Sequence, residues 1–162
     1  RSGFFPANDR RLTLFCQIVQ EGFDPLEQVA KYQKEFAVED NRIGATSIFI
    51  GTMRDFNDDA GVDSMFLDHY SGMAEKTLNE IGGEAVERWG LSELLIVHRV
   101  GLIFPGEPIV TVATWSSHRA HAFESCRHVM DLLKSNAPFW KKEFSKTGDR
   151  WVLKNTAGTT DL

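Results

Sequence analysis

Cysteine is almost absent: the 162-residue chain has two, Cys16 and Cys126, far apart and in no metal-ligand or redox spacing. That excludes a disulfide-stapled scaffold and reads both thiols as buried, reduced packing residues of a cytosolic protein. Long hydrophobic runs are missing too. No apolar stretch approaches the roughly 20 residues a membrane helix needs, so no membrane contact is expected. Positive charge is not in excess: 18 Lys and Arg against 23 Asp and Glu give a net −5, which argues against a general nucleic-acid binder. The sequence has no phosphate-binding glycine loop, no G-x-S-x-G and no His/Cys/Asp/Glu set with zinc spacing. No metal and no cofactor is expected. The opening residues, RSGFFPANDRR, lack the basic-then-apolar layout of a secretory signal; the chain opens on Arg1 rather than Met, which leaves targeting open.

What is present suits one globular domain, 42% hydrophobic and 25% charged. Residues 1–11 read as an N-terminal arm and 12–162 as the domain. LTLFCQIV (12–19) reads as a strand, followed by a helix capped by Asp24, with Pro25 at its first position and Leu26, Val29 and Ala30 on one face. GATSIFIGTM (44–53) and SMFLDHY (64–70) are strands joined by a Gly/Asp/Asn-rich loop, which reads as a hairpin or its longer relative. Ser71 can cap a second helix that Gly90 stops after Trp89; Gly82-Gly83 in its middle implies close packing of another backbone. LLIVHRVG (94–101) and IVTVATW (109–115) pair around the turn FPGE. Ser116 or Ser117 caps a third helix with Ala122, Cys126, Val129, Met130 and Leu133 on one face. Pro138 ends it, and RWVLK (150–154) is a last strand. This order predicts an α+β fold with a largely antiparallel sheet and about three helices.

Three segments could carry chemistry. KSNAPFWKKEF (134–144) sets Lys134 on the last turn of the third helix and Lys141 beyond a proline break, with aromatic bulk between. A partly desolvated ammonium loses basicity and gains a usable lone pair; equally, Lys134 can simply complement the helix dipole and KKE can be a solvated run. WSSHRAHAFE (115–124) puts His118 and Arg119 at a strand-to-helix junction, where free N–H groups and a positive helix end suit an anion. A capped helix start with an exposed Arg and a packed His reads as well. GTMRDFN (51–57) frees the backbone at Gly51 and projects Arg54 from a strand end. His69 and His98 read as core histidines, His121 as surface, and Asp131 as an i,i+3 partner of Lys134. The theme is cations and helix N–H groups without a nucleophilic Ser or Cys, which suits an anionic, phosphate-bearing substrate.

GTMRDFN, LDHYSGMAEKTL, IVHRVG, FPGE, SSHRAHAFE, MDLLKSNAPFWKKE and GDRWV, in this order from about Phe23 to Lys154, resemble the large subunit of molybdopterin synthase. The resemblance implies an alpha/beta-hammerhead-type single domain and a homodimer at the core of a heterotetramer. It also implies a small ubiquitin-like sulfur-carrier subunit whose C-terminal Gly-Gly thiocarboxylate enters a pocket of the large subunit. The substrate implied is cyclic pyranopterin monophosphate, which gains two sulfurs to become molybdopterin. Lys134 and Lys141 are the implied catalytic residues. Thr52, Met53, Arg54, His118, Arg119, Lys142 and Glu143 join them in contacting substrate. Lys134, anchored on a helix, is expected nearest the thiocarboxylate, and Lys141, after a mobile-looking turn, nearer the pterin. Two other classes fit less well. A non-catalytic receptor for a ubiquitin-like tail would need the lysine groove but not the His118-Arg119 pair, and a phosphate-ester hydrolase would need a metal set or nucleophile.

Overall fold

The computed structural model describes residues 13–37, 41–57 and 60–152; the arm expected at 1–11 and the end of the last strand at 153–154 lie outside them. In chain order the elements are β1 (Leu14–Val19), α1 (Pro25–Tyr32), a π-helical turn (Gln33–Ala37), β2 (Ala45–Thr52), β3 (Phe56–Asn57), β4 (Ala60–Gly61), β5 (Ser64–His69), α2 (Met73–Trp89), β6 (Glu93–Arg99), β7 (Gly101–Ile103), β8 (Pro108–Ser116), α3 (Arg119–Asn136), β9 (Phe139–Ser145) and β10 (Gly148–Val152). They form two four-stranded sheets, ordered β1-β6-β8-β2 and β10-β9-β5-β7, with β3 and β4 as a small ribbon. Among the described strands only β1 and β6 run parallel. The architecture is the expected α+β, largely antiparallel, with three α-helices among the described residues.

The near-continuous burial of β6 follows from being covered on both faces. Leu94 and Ile96 pack with Leu78, Ile81 and Val129 of α2 and α3, while Leu95 and Val97 face Val29, Tyr32 and Trp115 on the α1 side. Helix α1 starts as its sequence demands: the Asp24 carboxylate accepts from the Leu26 and Glu27 N–H groups at 2.9 and 3.0 Å, with Pro25 in the first turn. Its buried face is Pro25, Gln28, Val29 and Tyr32, whereas Leu26 and Ala30 are exposed. The anchor is Tyr32, whose ring lies 5.4 Å from that of Trp115 and whose hydroxyl donates to Glu93 at 2.6 Å; with it inward, Val29 stays buried as expected while Leu26 and Ala30 turn outward.

Four local readings are corrected. Strands β2 and β5 do not form a hairpin: β2 pairs with β8 in the first sheet, and β5 with β7 and β9 in the second. The strand read through Gly101 breaks after Arg99, and Gly101, at φ 87°, starts β7 in the other sheet. Helix α2 is capped by Gly72, at φ 83°, whose N–H donates to Glu75 at 2.6 Å, not by Ser71. Helix α3 has His118 as its N-cap residue without a side-chain cap bond, and the Ser116 hydroxyl accepts weakly from the His118 N–H at 3.4 Å. Gly90, at φ 58°, ends α2 as expected, and Ala137-Pro138 follows the end of α3.

The two glycines inside α2 differ. A Cβ on buried Gly82 would meet Leu14 Cδ1 at 2.5 Å, so a side chain of β1 rather than another backbone occupies the space; a Cβ on exposed Gly83 would meet nothing within 4 Å. Gly83→Ala is therefore expected to stabilise the protein by about 0.5–1 kcal/mol through helix propensity. Gly82→Ala should destabilise it, because overpacking at roughly 1–3 kcal/mol outweighs that gain. Urea melts of the two variants, read against the parent, decide this; equal shifts in one direction would contradict the packing account.

Candidate active site

The site grows from the alternation of β9. Successive strand side chains point to opposite faces, so FWKKEF divides into an inner set, Phe139, Lys141 and Glu143, and an outer set, Trp140, Lys142 and Phe144. The inner set lines a cavity of about 470 Å³ between the two sheets, closed on one side by the last turns of α3, which contribute Met130, Leu133 and Lys134. The end of β2 and the residues after it bring Thr52, Met53 and Arg54 to the same cavity. Thus six of the nine residues implied by the resemblance share one space: Thr52, Met53, Arg54, Lys134, Lys141 and Glu143. Its walls are otherwise largely apolar, including Met65, Leu67 and Val110.

The electrostatics are unbalanced toward positive charge. Lys134 is exposed at the rim, yet partial burial of its ammonium lowers its pKa; Lys141 and Arg54 push the same way, and Asp131 opposes them. Asp131 itself pairs with Arg127 at 3.7 Å. Lys141 is anchored from below: its Nζ lies 3.0 Å from Glu143 Oε1, while Arg150 Nε and Nη2 each reach Glu143 Oε2 at 3.1 Å. Glu143 is 4% exposed, and flanking cations make a buried carboxylate tolerable. Arg150 was not singled out in the sequence. Its role depends on the β9–β10 register, which sets it directly opposite Glu143.

Three implied contacts fall elsewhere within one chain. Lys142 lies on the outer face of β9, 3.4 Å from Asp149 and 5.1 Å from the centre of the Phe144 ring; the run KKE is an alternating strand, not a cluster with one orientation. His118 and Arg119 are exposed at the start of α3. Arg119 precedes Lys134 by fifteen residues of continuous helix, on the order of 22 Å at about 1.5 Å per residue. The segment carrying Lys141 is also not a mobile turn but a strand paired on both sides, with β5 and β10. His118 and His121 rings meet edge to face at 5.8 Å.

His98 is buried as expected of a core histidine, and it also lines the cavity. Neither cysteine does. Burial pushes the Cys16 thiol up to about 12 and raises Cys126 as well, so neither is an activated thiolate. Among the described residues no group of His, Cys, Asp and Glu could hold a metal ion, and no helix is long and apolar enough to cross a membrane.

Comparison with known proteins identifies the family. The molybdopterin synthase catalytic subunit of Pseudomonas aeruginosa is 48% identical over 84% of this chain and 88% of its own length. The MoaE protein of molybdopterin biosynthesis from Burkholderia ambifaria superposes with a TM-score of 0.72 at 44% identity, covering 88% of this chain and 92% of that one. A complex of subunits 1 and 2 of molybdopterin-converting factor from Helicobacter pylori shares the fold, with a TM-score of 0.71 at 21% identity over 87% and 92%. The profile of the MoaE protein family matches residues 19–136, and the chain belongs to that family, that of the catalytic subunits of molybdopterin synthase.

Proposed function

We propose that this chain converts cyclic pyranopterin monophosphate (precursor Z) to molybdopterin, taking sulfur from the C-terminal thiocarboxylate of a small ubiquitin-like carrier subunit in the cytoplasm. The observation that carries the reading is the convergence of Lys134, Lys141 and Arg54 on one largely apolar cavity. Such a site attracts anions, and both reactants are anionic: a cyclic phosphate and a thiocarboxylate. The Helicobacter pylori neighbour is itself a complex of two subunits, which fits a sulfur donor held on a partner. So does the absence of an activated thiol here.

The two lysines divide the labour by environment. Lys134, with its pKa lowered by desolvation and by two neighbouring cations, is suited to take and return a proton at the reacting centre. Lys141, ion-paired with Glu143, is suited to hold an anionic group in place. Thr52 and Met53 shape the wall beside Arg54. The His118-Arg119 pair sits too far along α3 to meet its own Lys134, so these residues serve the cavity of a second copy in a homodimer. The outer face of the second sheet exposes Phe66, Leu102, Trp140 and Trp151, an apolar surface suited to burial in an assembly.

Lys134→Ala is expected to remove nearly all conversion of precursor by thiocarboxylated carrier, since losing a positioned acid–base group costs roughly 100-fold or more. Retention of more than about a tenth of the activity would contradict its role. The pH dependence gives a sharper check. If Lys134 acts as the free amine, kcat/KM rises with pH until its lowered pKa is passed. Arg54→Gln removes one of the cations holding that pKa down, so the rising limb should move to higher pH; a limb that stays or moves down would exclude Lys134 as the titrating base.

Replacing Cys16 and Cys126 together by Ala should leave sulfur transfer active, with Cys126 the costlier change for stability because it is buried on α3. A double variant with native near-UV circular dichroism but no transfer would require a persulfide relay through this chain.

The shared-site reading predicts complementation. Lys134→Ala and Arg119→Ala chains, each inactive as homodimers, should recover about a quarter of parental activity when unfolded and refolded together. Random pairing makes half the dimers mixed, and each mixed dimer has one intact site. No recovery, with mixed dimers confirmed by mass spectrometry, would place Arg119 outside the partner's cavity.

A further inference from the structure

His98 is the buried titratable group of the cavity that the proposed chemistry leaves unused, and its contacts are specific. It sits on β6 one residue before the chain leaves the first sheet. Its Nδ1 lies 2.8 Å from the carbonyl oxygen of Arg99. A carbonyl can only accept, so Nδ1 carries the proton and Nε2 the lone pair. The ring lies flat on Phe139, with centroids 4.0 Å apart and planes 6° from parallel. On Phe139 a second imidazole, His69 of β5, rests at 6.4 Å and 31°. Burial pushes His98 down to about 4, with the neighbouring His69 contributing, so the ring is neutral at physiological pH.

Phe139 matters because of where it lies. It is the first residue of β9, three residues after the end of α3 and two before Lys141. The helix that presents Lys134 and the strand that presents Lys141 meet at this corner. Among the described residues, Pro138 and the Phe139 N–H bond to the Ala137 carbonyl at 2.8 Å bend the chain there. Ala137 and Phe139 pack against the core that includes Val110 and Val112 of the first sheet, and the His98 ring adds a face-to-face contact from β6. One side chain thus joins the exit of β6, through Arg99, to the corner that spaces the two lysines.

We propose that His98 is the positioning residue of the lysine cavity: by stacking on Phe139 it fixes the α3–β9 corner, and with it the mutual placement of Lys134 and Lys141. This rests on reading those lysines as the working groups, but the placement can be tested without turnover. Two substitutions separate the ring from its hydrogen bond. His98→Phe keeps a flat ring against Phe139 and loses the donor to Arg99. His98→Asn keeps a donor near the Nδ1 position and loses the ring.

The readout is the titration of Lys134, followed by competitive acylation across a pH series with mass spectrometry of the peptide carrying it. In His98→Asn the Lys134 titration is expected to move up toward that of an exposed lysine as the corner relaxes and Lys141 moves away. In His98→Phe it should stay where the parent has it. Turnover should follow: kcat falling by roughly 10- to 100-fold in His98→Asn, with precursor KM changed less than about threefold because the phosphate contacts persist, and near-parental kcat in His98→Phe. A merely structural role would lower the melting temperature without moving the Lys134 titration. That result in folded His98→Asn, or a His98→Phe protein whose Lys134 titrates as in His98→Asn, overturns the proposal. Should His98→Asn fail to fold, Phe139→Leu removes the other half of the stack and must shift Lys134 in the same direction. If the titrations behave as expected while neither lysine proves necessary for turnover, the positioning stands and the catalytic reading falls.

Discussion

Three cations converge on one cavity, and their mutual repulsion is the constraint the surrounding structure has to meet. In water, Lys134, Lys141 and Arg54 would drift apart at little cost; between two packed sheets the dielectric is lower and the same repulsion is several times larger. Besides the proposed His98 stack, two devices hold the arrangement. The buried Glu143 carboxylate takes Lys141 on one oxygen and Arg150 on the other, so part of the charge is answered from beneath the cavity rather than from within it. Lys134 stands at the end of an eighteen-residue helix packed along its length by Ala122, Cys126, Val129, Met130 and Leu133, and a helix so anchored cannot relax by swinging its last turn away. Partial burial of its ammonium, with repulsion from Lys141 and Arg54 added, makes Lys134 give up its proton more readily.

That organisation explains which parts of the sequence could be read directly. The cap at Asp24-Pro25, the buried stripe of α3 and the stop at Gly90 depend on neighbours a few residues away, and local chemistry is enough to find them. The pairing of β2 with β8, and of β5 with β9, joins segments more than fifty residues apart. Nothing local distinguishes that from the hairpin that the Asp/Asn-rich loop suggests. The run KKE was misread for another reason. As a charge cluster it has no direction, whereas as a strand it has period two, and FWKKEF then sorts itself into an inner Phe139-Lys141-Glu143 and an outer Trp140-Lys142-Phe144. Of the six residues that do gather, Lys134, Lys141 and Arg54 stand out by local chemistry, and Thr52, Met53 and Glu143 were named through resemblance; that they share one space is not local, since β2, α3 and β9 approach one another only in the folded sheet pair.

The displacement of His118 and Arg119 from the lysines is informative in the same way. A helix is a rigid spacer, and residues at its two ends cannot serve one small-molecule site. If both ends carry functional groups, each end must meet a different molecule, and a two-fold assembly supplies the second helix without a second gene. The exposed aromatic face of the second sheet, whose inner face lines the cavity, adds a reason for burial against a partner. Under the proposed shared site, assembly and site formation are one event.

Neither cysteine lines the cavity, and that bears on how sulfur would reach it. An enzyme that carries sulfur on its own cysteine must keep a thiolate reactive and protected, with an exposed, electropositive site for it. Here both thiols are pushed toward inertness by burial, and the electropositive site is lined by amines. In the proposed reaction, sulfur delivered as a thiocarboxylate arrives already ionised, so the cavity would have to attract, orient and exchange protons, not to activate sulfur. A neutral, stacked His98 suits that economy: an imidazolium at the same place would add a fourth positive charge to a cavity already strained by three. The cost of a buried histidine with no charge to offer is repaid if its ring keeps two repelling lysines at a fixed separation, because proton transfer and anion binding both fall off steeply with misplacement on the ångström scale.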